Sequence, residues 1–153
     1  MNLTFAMRPD STAIIRAEDK QQILQGLSTQ FAHSYGVDGE LVLERLEERE
    51  ALGSTGFGRG VAIPHARMPD LKRPVAALLK LEQPTEFAAA DGLPVELVFG
   101  LLSPESSGAM HLQALASISR LVRDEAMRDD LIEAPNAEAM YALLTNATDR
   151  DAA

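Results

Sequence analysis

The chain has 153 residues, 46% of them hydrophobic, and a formal charge of −9. That length suits one domain with a sizeable core. The acidity opposes nucleic acid or anionic lipid as a partner, because either needs a clustered basic surface. With no cysteine, disulfides, thiolate metal sites and cysteine nucleophiles are excluded, and unusual chemistry falls to His33, His65 and His111.

The opening MNLTFAMRPD lacks a basic segment followed by an apolar stretch, and no apolar run approaches the ~20 residues of a bilayer span. The expectation is a cytoplasmic protein with no membrane insertion. Residues 11–17 (STAIIRA) read as a short strand or edge segment. Asp19 then caps a helix whose apolar positions Ile23, Leu24, Leu27, Phe31 and Tyr35 follow helical spacing, with Gly36 as its stop. Asp38 caps a second helix with Leu41, Val42 and Leu46 inward and Glu44, Glu47 and Glu48 on a solvated face, ending near Glu50.

GSTGFGRG, Gly53 to Gly60, holds four glycines in eight residues, a loop that needs positive φ or close backbone approach. It is no nucleotide-binding motif, since no Gly-Lys-Ser/Thr follows. An apolar VAIP leads from it to His65. Val75–Leu81 and Val95–Leu102 read as buried strands covered on both faces, so helices belong on both sides of the sheet. Ser103–Gly108 (SPESSG) reads as a turn, and the following helix carries His111, Leu115, Ile118 and Val122 on one stripe. Asp124 and Asn136 cap two closing helices, and the tail 145–153 is expected to fray. The core is expected to span roughly 11–146 within one domain.

His65 stands where a strand reaches the edge of the sheet, the usual place for sites in α/β folds. A histidine on a surface loop is more often idle, but the glycine-rich loop beside this one can aim backbone N–H groups, Gly58 included, at an anion near the ring. His111, in the first turn of a helix, stays neutral most easily there and can donate one N–H to a phosphoryl oxygen; a core-edge histidine is an equal reading. His33 reads as exposed and unimportant. Arg49 has no carboxylate at helical spacing, and at the helix end feeding the glycine loop its guanidinium could grip phosphate.

The run EREALGSTGFGRGVAIPHAR followed by PVELVFGLLSPESSGAMHLQALASISRLV resembles the enzyme IIA domain of the fructose, mannitol and nitrogen-regulatory branches of the bacterial phosphotransferase system. The likeness covers roughly Ile14 to Leu144 and is nearest to the nitrogen-regulatory type. It implies an α/β domain with a central mixed sheet of about five strands flanked by helices on both faces. It implies a phosphoryl group on His65, support from His111 and Arg49, and added hydrogen bonds from Ser54 and Thr55. Ala66, where nitrogen-type members often have glycine, and Ala109-Met110 before His111 depart from the pattern.

On this reading the chain is a phosphoryl carrier needing no metal or nucleotide. It takes its group from an HPr-like phosphocarrier protein, signals to regulatory target proteins through its phosphorylation state, and pairs at most as a weak homodimer. A sugar-specific component serving a fructose- or mannitol-type permease would use the same His65. A regulatory module that no longer transfers phosphate is a third reading. A metal-dependent hydrolase using His65, His111 and Asp91 or Glu96 is a weak fourth, because no H-x-x-x-H pair is present.

Overall fold

The computed structural model describes residues 4–152, with side chains of the last helix described to Asn146. A 3-10 turn (Pro9–Ser11) leads into β1 (Thr12–Ile15), and then Asp19 caps α1 (Lys20–Tyr35) by accepting from the Gln22 N–H. Gly36 ends α1 at φ 69°, and Asp38 caps α2 (Gly39–Ala51). Next come β2 (Gly56–Gly58), β3 (Val61–Ala62), β4 (His65–Met68), β5 (Val75–Thr85) and β6 (Val95–Pro104). The chain closes with α3 (Gly108–Arg123), α4 (Glu125–Glu133) and α5 (Ala137–Ala152).

The sheet is mixed and runs β1-β5-β6-β3-β2, with β4 also on β6. Its six strands fit the expected mixed sheet of about five, and the glycine stretch, read as loop, supplies β2 to a hairpin with β3. β1 lies at an edge as expected, parallel to β5, while β5 and β6 pair antiparallel at the centre. Alternate residues of those central strands feed two cores. Leu78, Leu97, Phe99 and Leu101 pack toward Ile118, Val122, Leu131 and Met140 of the last three helices. Leu79, Val98 and Leu102 pack toward Ile23, Leu27, Phe31, Val42 and Leu46 of α1 and α2. Each such side chain withdrawn from water stabilises the fold by ~1.5–3 kcal/mol.

Three expected boundaries move. The core reaches back beyond residue 11 to Phe5, which is buried and meets the Phe99 ring edge-on at 5.9 Å. Ser103 and Pro104, assigned to a turn, belong to β6, because β4 gives them partners in Arg67 and Met68. The tail expected to fray carries α5 on through Ala152, while Ala153 and the side chains from 147 onward lie outside the described residues. Among the described residues no helix is long and apolar enough to cross a membrane.

Candidate functional site

VAIPHAR forms one strand with a gap. Val61↔Leu97 and Ala62↔Val98 pair β3 with β6, and β4 resumes at His65↔Leu101 without any change of offset. The gap falls at Ile63-Pro64, since proline has no N–H for the ladder. Ile63 still gives its own N–H to the Thr55 carbonyl at 3.0 Å, which ties the glycine loop to the strand that presents His65.

The His65 ring is partly buried, and its Nδ1 lies 2.8 Å from the Ile63 carbonyl oxygen. A carbonyl only accepts, so Nδ1 carries the proton and Nε2 keeps its lone pair. Arg49, in the last turn of α2, donates from Nε to that nitrogen at 3.3 Å and from Nη1 to the Gly53 carbonyl at 2.8 Å. The arginine read as lacking a local partner thus has a backbone one. Burial pushes the His65 pKa below its usual value; the Ile63 carbonyl opposes this, Arg49 adds to it and Glu50 opposes it.

His111 enters from the first turn of α3, whose cap Ser107 accepts the Met110 N–H. Its ring centroid is 5.4 Å from that of His65, and its Nδ1 is 2.7 Å from the Ser103 Oγ. Burial first, then the charges of His65 and Arg67, push its pKa down to about 4, so the ring is neutral at neutral pH.

His65, His111 and Arg49 line one surface hollow with Arg45, Glu48, Leu52, Ala66 and Arg67. Arg67 stands two positions along β4 from His65 and so on the same face, where its Nη2 donates to the Glu105 carbonyl at 2.6 Å. Arg45 donates to the Arg67 carbonyl at 3.0 Å. The period of two from His65 and the single helical turn from Arg45 to Arg49 were signals in the sequence for both cations.

Ser54, Thr55 and Gly58 do not line this hollow. Ser54 donates to the Phe87 carbonyl and accepts the Gly56 N–H, while Thr55 gives both its N–H and its hydroxyl to the Glu50 carboxylate. Two of the glycines serve close packing: a Cβ at Gly56 would stand 2.6 Å from the Ala89 Cα, and one at Gly58, where φ is 104°, would stand 3.2 Å from an Asp91 carboxylate oxygen. Asp91 accepts the Arg59 and Leu93 N–H groups and fastens this hairpin, so it sits in a turn and not beside the histidines. His33 is exposed, as its sequence position suggests.

Glu50 escaped the sequence reading. Its side chain is only 6% exposed, ion-paired to Lys20 at 2.8 Å, and its carboxylate holds the loop through Thr55. The partner lies on another helix, so no local pattern distinguishes Glu50 from its solvated neighbours Glu47 and Glu48.

The architecture is that of the enzyme IIA domains. It superposes on the crystal structure of IIA mannitol from Escherichia coli with a TM-score of 0.77 at 19% identity, over 92% of this chain and 99% of that one, a likeness of fold alone. The chain belongs to the family described as "Phosphoenolpyruvate-dependent sugar phosphotransferase system, EIIA 2", which matches residues 8–147. It is 40% identical over 145 residues to a nitrogen regulatory protein of Bradyrhizobium diazoefficiens, covering 94% of this chain and 95% of that one. A nitrogen regulatory protein of Pseudomonas aeruginosa is 40% identical over 128 residues, 83% of each chain. The crystal structure of the nitrogen regulatory protein IIA-Ntr from Neisseria meningitidis superposes with a TM-score of 0.82 at 31% identity, over 90% of this chain and 95% of that one.

Proposed function

We propose that the protein is a cytoplasmic phosphoryl carrier of the nitrogen-regulatory type, which accepts its group on His65 Nε2 from an HPr-like phosphocarrier and signals to target proteins through its phosphorylation state. The observation that carries this reading is the Ile63 carbonyl on His65 Nδ1, which leaves Nε2 unprotonated and turned toward Arg49. A neutral imidazole is the nucleophile the reaction needs. As Nε2 bonds to phosphorus, the nitrogen–phosphorus bond of the donor breaks and its electron pair returns to the donor ring, while Nδ1 keeps its proton on Ile63.

The rest is positioning and charge. Phosphoryl transfer asks for an in-line approach and neutralisation of the equatorial oxygens. Arg49 stands next to Nε2, His111 faces His65, and Arg67 borders the same hollow. Identity of 40% to a nitrogen regulatory protein over 95% of its length supports the regulatory branch. The family's own description names a sugar phosphotransferase system, which favours a sugar-specific IIA component as the second reading.

Incubation with a phosphorylated HPr-type carrier tests the assignment. Acid-labile phosphate should map to His65, and phosphorus NMR should give the Nε2 isomer. Label on another residue, or on Nδ1, overturns it. Offering the loaded protein to a fructose- or mannitol-type IIB partner separates the two branches: rapid unloading marks the sugar component, and retention marks the regulator.

A further inference from the structure

The second histidine of the hollow is held by a serine at a position read from the sequence as a turn. Ser103 is the register partner of Arg67, and parallel neighbours in register share a face, so β4 and β6 present His65, Arg67 and Ser103 together beneath the first turn of α3. Ser103 is fully buried at 0% exposure, and its Oγ lies 2.7 Å from His111 Nδ1.

We infer that the Ser103 hydroxyl donates to His111 Nδ1 and so fixes the ring in the tautomer that carries its proton on Nε2, which makes Ser103 the positioning residue for His111. The direction follows from counting donors. Among the described residues the Ser103 Oγ makes that one hydrogen bond. If Nδ1 carried the proton and gave it to Oγ, the serine's own O–H would have no protein acceptor at a position closed to bulk solvent, an arrangement folded proteins avoid. With the O–H donating instead, both atoms are satisfied, as is every buried side-chain nitrogen and oxygen among the described residues.

The two facing rings are then opposite tautomers, each set by an oxygen on Nδ1. The Ile63 carbonyl can only accept, so His65 shows a bare Nε2, the nucleophile. The Ser103 hydroxyl donates, so His111 shows an Nε2–H, a donor for a phosphoryl oxygen. The low pKa of His111, about 4, keeps the ring neutral, so the tautomer and not an added charge decides what it offers. The value of this donor rests on His65 being the phosphorylated residue; the tautomer itself does not.

Long-range proton–nitrogen correlation spectra of the unphosphorylated, isotopically labelled chain at neutral pH read the tautomer directly and need no variant. A proton on His111 Nε2 is expected; a proton on Nδ1 overturns the inference. Ser103→Ala should give a mixed tautomer with His65 unchanged, and Ser103→Thr should restore the original spectrum. A tautomer unmoved in Ser103→Ala also overturns it. In transfer assays Ser103→Ala should slow phosphoryl exchange on the order of tenfold, the scale of one hydrogen bond to a charged group. The same change in a His111→Ala background should do nothing more, whereas an equal slowing there assigns Ser103 to packing and overturns the positioning role. If the wild-type chain takes no label on His65, the function fails while the spectra still judge the tautomer.

Discussion

The hollow has two sides built in different ways. His65, Arg67 and Ser103 stand on paired strands whose register spaces them, so the ladder itself sets their separation. Arg49 stands on the last turn of a helix and is steadied by the carbonyl of a glycine in the loop beyond it. That loop is tied down by one largely buried carboxylate, Glu50, through Thr55. A strand-borne group is held by many bonds and loses little when one is cut. A loop-borne group depends on few, so the second side should be the weaker one under mutation.

The largest effect belongs to the strand side. His65→Ala removes the proposed nucleophile, and labelling by a phosphorylated carrier should vanish while the melting temperature stays near the wild-type value. Next comes the loop side at its tip: Arg49→Ala should slow transfer about a hundredfold, the scale of one preorganised charge donor, with the fold intact. Arg49→Lys should recover only part, because an ammonium cannot serve Nε2 and the Gly53 carbonyl from one rigid plane.

Glu50→Ala tests the fastening of that loop. Loss of the Thr55 bonds and of a Lys20 pair that is partly open to solvent should cost about 2 kcal/mol in chemical denaturation. Transfer should also slow, since the Gly53 carbonyl that steadies Arg49 is freed. Stability loss without any slower transfer would mean that Arg49 keeps its place unaided and that the two sides are equally firm.

The smallest effect is on pH dependence. His111 has its folded pKa pushed from 6.5 to about 4, so between those values the unfolded chain binds the proton and the folded one does not. Its contribution is complete above pH 6.5 and is lost as pH falls toward 4. The melting temperature of His111→Ala should therefore fall less over that interval than that of wild type. An identical fall in both would place the ring in a solvent-like setting.

The sequence already marked much of this. Asp19, Asp38, Asp124 and Asn136 accept the N–H groups expected of caps, because capping is local chemistry. The two buried central strands and the trio His65, His111 and Arg49 were likewise legible. What stayed hidden depends on distant partners. Glu50 looks like its solvated neighbours until Lys20 of α1 comes beside it, and Ser103 looks like a turn residue until β4 extends the ladder past Pro64. Ser54 and Thr55 have the chemistry of phosphate ligands, but their hydroxyls are taken by Phe87 and Glu50. The glycines suggested an anion cradle, and two of them, Gly56 and Gly58, stand where a Cβ would crowd Ala89 and Asp91.

On the proposed assignment, Arg49 Nε rests on the very lone pair that would attack phosphorus. Loading His65 would then mean an exchange, in which the guanidinium releases the ring nitrogen and takes up an oxygen of the incoming group. Were that exchange confined to the Arg49 side chain, empty and loaded forms would have nearly the same outline and differ chiefly by a dianion, so a protein that distinguishes them would sense the electric field over the hollow more than its contour.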